Sequence, residues 1–138
     1  MLGIWKYPAD LDGETQLHNP EFRSNLRDFS SPIPQGMYYS MCGMNIAFNR
    51  EITPIMYQLL MGIDKYGIDR FGDIWSGLFS KKILDLMGDY VFFGKPCVEH
   101  LRASDPYVNK HKEKKGKEIN ESLWTIVRDM EISGGFRW

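Results

Sequence analysis

Apolar residues along this chain follow two rhythms, short extended runs and stretches that repeat every three or four positions. Residues 3–7 read as a short strand ended by Pro8. The stretch from Ala9 to Ser31 is polar and turn-rich, a loop with one helical turn near Glu21–Asp28. Ser30-Ser31-Pro32-Ile33-Pro34-Gln35-Gly36 follows as a stiff connector, because two prolines remove backbone donors and turn their predecessors away from helix. Beyond it, Ile46-Ala47-Phe48 predicts a short buried strand. Ile52, Ile55, Met56, Leu59 and Leu60 share one helical face over Glu51–Met61, with Pro54 tolerated in the first turn. A second helix follows Asp73: Ile74, Leu78, Ile83, Leu84 and Met87 lie on one side, Lys81, Lys82 and Asp85 on the other, and Gly88 stops it. Tyr90–Phe93 predicts a strand, Gly94-Lys95-Pro96 a break, and Cys97–His100 a second strand or extended segment. Lys110–Lys117 reads as a charged loop before an amphipathic helix over Glu118–Asp129, with Ile119, Leu123, Ile126 and Val127 inward.

Strands alternating with helices indicate an α/β fold, but too few strands are visible for a complete doubly wound sheet. The expected organisation is one partial domain over 1–138. It comprises a strand and irregular lead-in over 1–36, a motif-bearing core over 37–109, and a basic loop with a C-terminal helix over 110–138. At 138 residues the chain is long enough to bury a core without metals or disulfides. With 17 Lys and Arg against 18 Asp and Glu it lacks the basic excess of a nucleic-acid binder. Cys42 and Cys97 are too few for a disulfide framework and read as reduced thiols. Met1–Pro8 reaches Asp10 and Asp12 too soon to leave room for a signal peptide's apolar core, and no apolar run is long enough to span a membrane. A cytoplasmic setting is the expectation.

Asp73 is the foremost chemical candidate, since a carboxylate at a helix N-terminus is stabilised as the anion and aimed from a rigid element. Arg70 and Trp75 flank it, adding a cation and a flat platform of the kind on which sugar rings stack. Asp73 as a plain N-cap is the simpler reading, and capping and catalysis are compatible. His100, after a strand, is a metal-ligand candidate only if other ligands join it. Five lysines against one acid in Lys110–Lys117 form either a solvated loop or one that closes over a diphosphate.

Met41-Cys42-Gly43-Met44-Asn45-Ile46-Ala47-Phe48 and then Arg70-Phe71-Gly72-Asp73-Ile74-Trp75-Ser76-Gly77 resemble segments of the reversibly glycosylated polypeptide family, which includes UDP-arabinopyranose mutases. The likeness continues through His100–Asn109. Gly3-Ile4-Trp5, Asp10-Leu11-Asp12 and Thr15-Gln16-Leu17 resemble an earlier family segment, so the ordered series covers residues 3 to about 117. The resemblance implies the acceptor-side, C-terminal part of a GT-A-like glycosyltransferase fold with an incomplete sheet. It also implies a divalent metal, manganese or magnesium, and a UDP-sugar ligand interconverted between pyranose and furanose forms. By position, Asp73 falls at the family's acidic residue, expected to face the sugar or act as a base, and with Arg70 beside it forms the catalytic pair. Trp75, Asn45 and Gly43 fall at the substrate, Lys112 and Lys115 near the diphosphate, and His100 at the metal.

Gly72 stands where the plant pattern has an acid. The resemblance places the UDP-binding half, its Asp-x-Asp motif and the glycosylated arginine ahead of the matched residues. The chain is therefore expected to be inactive alone and to need a complementary N-terminal half or an oligomer. The alternative is a non-catalytic interaction module assembling with a complete family member. A cytoplasmic location, peripheral to the Golgi in a plant, follows from the same resemblance.

Overall fold

The strand, loop and helix signals assemble into a mixed α/β structure around a small sheet. The computed structural model describes residues 1–5, 10–22, 30–62, 66–99 and 104–133, with no side chain described at positions 4, 5, 96 and 97. Strand β1 (Leu2–Trp5) leads into helix α1 (Gly13–His18), strand β2 (Ser31–Ile33), a 3-10 helix at Arg50–Ile55, helix α2 (Gly72–Met87), strand β3 (Val91–Val98) and helix α3 (Pro106–Asp129). β3 is central, parallel to β1 and antiparallel to β2. Pro32 is accommodated because β2 is an edge strand of this sheet.

The expected break at Gly94-Lys95-Pro96 is a slip in the ladder and not an interruption of the strand. Gly3 lies opposite Gly94 but Trp5 lies opposite Val98, so the extra residues of β3, Pro96 among them, sit where pairing is irregular. The strand expected at Ile46–Phe48 reduces to one antiparallel bridge between Leu2 and Ile46, flanked by Gly3 N donating to the Asn45 carbonyl at 2.8 Å and Ala47 N to that of Met1 at 2.9 Å. Residues 6–9, most of the helical turn expected at Glu21–Asp28, and His100 lie outside the described residues.

The Glu51–Met61 helix is also corrected: only Arg50–Ile55 turns, as a 3-10 helix with Pro54 inside it. Two serines of α2 bond the backbone around and beyond that turn. Ser80 Oγ donates to the Ile55 carbonyl at 2.6 Å, and Leu59 N donates to Ser76 Oγ at 3.0 Å. α2 runs nearly as predicted and ends at Gly88 with φ 78°, the left-handed stop for which glycine is suited. Lys81, expected on its polar side, is buried instead, its ammonium bonded to Asp85 and, at 3.1 Å, to the Pro34 carbonyl.

The expected basic loop at Lys110–Lys117 is helical, the first half of α3. Asp105 caps it by accepting from Tyr107 N at 2.8 Å, Pro106 opens the first turn, and lysine and glutamate are good helix formers. Its lysines meet acids elsewhere: Lys117 reaches Asp12 at 2.6 Å and Lys110 reaches Glu14 at 3.2 Å, which docks α1 onto α3. α1 forms where the sequence predicts a loop; Asp12 caps it, accepting from Glu14 N and Thr15 N, each at 3.1 Å. Ile126, expected to face inward, is exposed.

Two apolar clusters hold these parts. Phe71, Trp75 and Leu78 of the α2 region pack with Val127 of α3, supported by Ile119 and Leu123. Leu2, Ile33 and Met41 form the second, beside the sheet, with Tyr39 meeting Phe93 edge-on at 5.3 Å.

Candidate functional site

The site is built where α2 starts. Phe71 occupies the N-cap position, so Asp73 is the second helical residue and not the cap that its position suggested. Its carboxylate is fixed at both oxygens: Oδ1 accepts from Ile74 N at 2.9 Å and Oδ2 from Gly43 N at 3.1 Å. Gly77 allows the crossing of residues 41–43 over the helix, since a Cβ there would lie 2.3 Å from Met41 Cβ and 3.0 Å from Met41 N. Gly72 is equally constrained, with a Cβ placed 2.6 Å from the Leu59 carbonyl oxygen. An acid at position 72 would therefore require residue 59 to move.

Arg70 stands two residues before α2 with φ 67°, the one non-glycine positive φ among the described residues. Its Nε donates to Glu113 Oε1 at 3.3 Å, and the other oxygen of Glu113 accepts from Gly13 N at 2.9 Å. Asp69 accepts from Arg70 N at 2.8 Å and pairs with Lys112 at 3.6 Å.

These groups line one cleft of about 810 Å³, with Gly43, Arg70, Asp73 and Glu113 on its walls alongside Asp10, Asp12 and Cys42. Burial pushes the Cys42 thiol up to about 12; the Met44 backbone opposes that shift, and the charges of Asp73 and Asp10 add to it, so the thiol stays protonated. For Asp12 desolvation raises the pKa, but hydrogen bonds from Lys117 and Thr15 outweigh it and bring the carboxyl to about 2 from an ordinary 3.8. A folded-state pKa below the unfolded one means this stabilisation is complete above about pH 4 to 5 and is lost as pH falls toward 2. With the Asp12 side chain 38% exposed, solvent screening holds the contribution to about 1 kcal/mol or less. Lys117→Met should therefore flatten the acid limb of a urea-denaturation stability profile between pH 2 and 5; an unchanged limb would show that the pair contributes nothing.

Of the residues singled out from sequence, the cleft gathers Asp73, Arg70 and Gly43. Asn45 lies beside β1, its carboxamide occupying the space where a Cβ on Gly3 would go. Trp75 is buried in the α2–α3 core, its ring against Phe71 at 5.4 Å and its indole N–H donating to Asn120 at 3.1 Å, so it does not offer a face to the cleft. Lys112 and Lys115 tie α3 to the 66–70 segment, through Asp69 and the Tyr66 carbonyl. His100 lies outside the described residues, and among those described no three His, Cys, Asp or Glu side chains are grouped as a metal site. Sequence reading missed Glu113, whose signal was its place as the single acid in a run of five lysines.

The sequence profile described as "Reversibly glycosylated polypeptide" matches residues 1–136. The chain belongs to this family. A "Probable UDP-arabinopyranose mutase 1" of Pisum sativum is 46% identical over 95% of this chain and 36% of its own length. "UDP-arabinopyranose mutase 1" of Arabidopsis thaliana is 45% identical over 95% of this chain and 37% of its own length. The protein of the same name in Oryza sativa subsp. japonica is 42% identical over 94% of this chain and 36% of its own length. The chain thus spans about a third of the length of the family relatives it matches. Among the described residues no helix is long and apolar enough to cross a membrane.

Proposed function

We propose that this chain forms the sugar-side wall of a UDP-sugar mutase or glycosyltransferase. In this reading it is the acceptor-side part of a GT-A-like fold, completed by a complementary half or a second subunit. The observation that supports this most is the convergence of a fixed carboxylate, Asp73, and a held cation, Arg70, on one cleft. The Asp73 carboxylate accepts one backbone N–H at each oxygen and a further bond from the protonated Cys42 thiol, which leaves it lone-pair capacity for a sugar hydroxyl. Carboxylates dominate the cleft wall, so neutral hydroxyls suit it better than a bare diphosphate, whose charge is best met at Arg70. The reaction is isomerisation: the anomeric C–O bond to UDP breaks, another sugar hydroxyl bonds to the anomeric carbon as it gives up its proton, the old ring C–O bond breaks as its oxygen takes a proton, and the C–O bond to UDP re-forms. Asp73 would receive and return the hydroxyl proton in ring exchange. A divalent metal, manganese or magnesium, belongs to the same proposal with His100 as its candidate ligand, and no described side chain is assigned to it. In isolation the chain is expected to bind without turning over.

Calorimetry of the chain with UDP-arabinopyranose tests this reading. Asp73→Asn puts an amide donor among backbone donors and removes the charge that receives the hydroxyl proton. Affinity should fall about tenfold, or about 1.4 kcal/mol, close to the lower end of what a hydrogen bond to a charged group contributes. An Asn variant that binds as tightly as wild type removes Asp73 from the site.

A further inference from the structure

We propose that Glu113 is a positioning residue, holding the Arg70 guanidinium at the cleft so that its terminal N–H groups meet the anionic part of a bound sugar nucleotide. The assignment rests on the reading above that the cleft takes such a ligand.

Glu113 is buried among exposed lysines, at 6% exposure, yet its carboxylate turns to Gly13 N on one oxygen and Arg70 Nε on the other. A buried charge costs free energy unless it is paired and hydrogen-bonded. Here its cationic partner is a side chain 37% exposed at the edge of an open cleft. Pairing through Nε leaves the Nη groups of Arg70, the planar fork suited to phosphate oxygens, for a ligand. The backbone supports the same conclusion. A left-handed φ of 67° at a residue with a Cβ is costly and persists only where surrounding contacts impose it.

Those contacts come from one short stretch of α3. Lys115 bonds the Tyr66 carbonyl, Lys112 meets Asp69 at 3.6 Å, and Glu113 holds Arg70. Gly116 lets the helix lie against Phe71, whose Cδ2 would be 2.2 Å from a Cβ on that glycine. The lysine-rich segment expected to close over a diphosphate instead fixes the loop that carries Arg70 and leads to Asp73. Glu113 reaches from this clamp into the cleft.

Two readouts on the whole chain test the assignment. The Arg70 Nε–H signal in proton–nitrogen NMR should be protected from exchange in wild type and lost in Glu113→Gln. The Gly13 amide shift should change little, since the Gln carbonyl still accepts from it. With UDP-arabinopyranose as probe, Glu113→Gln and Arg70→Ala should each weaken binding about tenfold, and the double variant should bind no worse than Arg70→Ala alone. Glu113→Asp, which keeps the charge, should recover part of the loss. Effects that multiply to about a hundredfold, or a Gln variant that binds as wild type, overturn the assignment. If wild type does not bind the probe, the functional reading fails separately, and retention or loss of the Nε–H signal in Glu113→Gln still decides whether Glu113 holds Arg70.

Discussion

Trp75→Ala should destabilise the chain by about 3–5 kcal/mol, the usual cost of emptying a buried aromatic site. The ring is 7% exposed, packs with Phe71, Leu78 and Val127, and satisfies its indole N–H at Asn120. A domain of this size has a total stability of about 5–15 kcal/mol, so the variant should be largely unfolded at modest urea concentrations. Trp75→Phe keeps most of the packing and forfeits the Asn120 hydrogen bond, and should cost about 1–2 kcal/mol. Urea denaturation followed by circular dichroism separates these values. Were Trp75 a platform for the sugar, the Ala variant would melt like wild type and lose only ligand affinity.

Gly77→Val should be the second most damaging change described, costing about 3 kcal/mol, the upper range for overpacking a close contact. The new Cβ would fall 2.3 Å from Met41 Cβ and 3.0 Å from Met41 N, and the second of these is backbone that cannot rotate away. Relief requires residues 41–43 to lift from α2, which withdraws Gly43 N from Asp73. The variant should lose stability and, even in the fraction that remains folded, show a shifted Gly43 amide resonance and weakened binding. A Val variant with wild-type stability and an unmoved Gly43 resonance would mean that the crossing is loose and does not set the carboxylate.

What the sequence made legible depended on whether local signals agreed with long-range ones. α2 was readable because an apolar repeat, an acidic first turn and a terminal Gly88 all indicate the same helix. The apolar repeat after Glu51 is similar in kind, but Pro54 lies within it and α2 serines hold the adjoining backbone, so tertiary bonds prevail over periodicity. The lysine run resembles a loop by charge density alone, but helix propensity and the Asp105-Pro106 start signal prevail and make it helical. In the site, Asp73 and Arg70 were accessible because they are three residues apart. Glu113 was not, since its partners Arg70 and Gly13 are 43 and 100 residues away. Trp75 shows the converse: adjacency to Asp73 suggested a shared site, but helical geometry turns its ring into the core.

If the chain forms the sugar-side wall of such an enzyme, a sugar nucleotide occupies the cleft bounded by Gly43, Arg70 and Asp73. The most direct measurement is a backbone NMR titration of the chain with UDP-arabinopyranose. Saturable shifts concentrated at residues 43, 70 and 73, and reduced in Asp73→Asn, are the predicted result; saturable shifts confined to the apolar groove around Ile46, Phe48 and Tyr90, or no shifts at all, would contradict it.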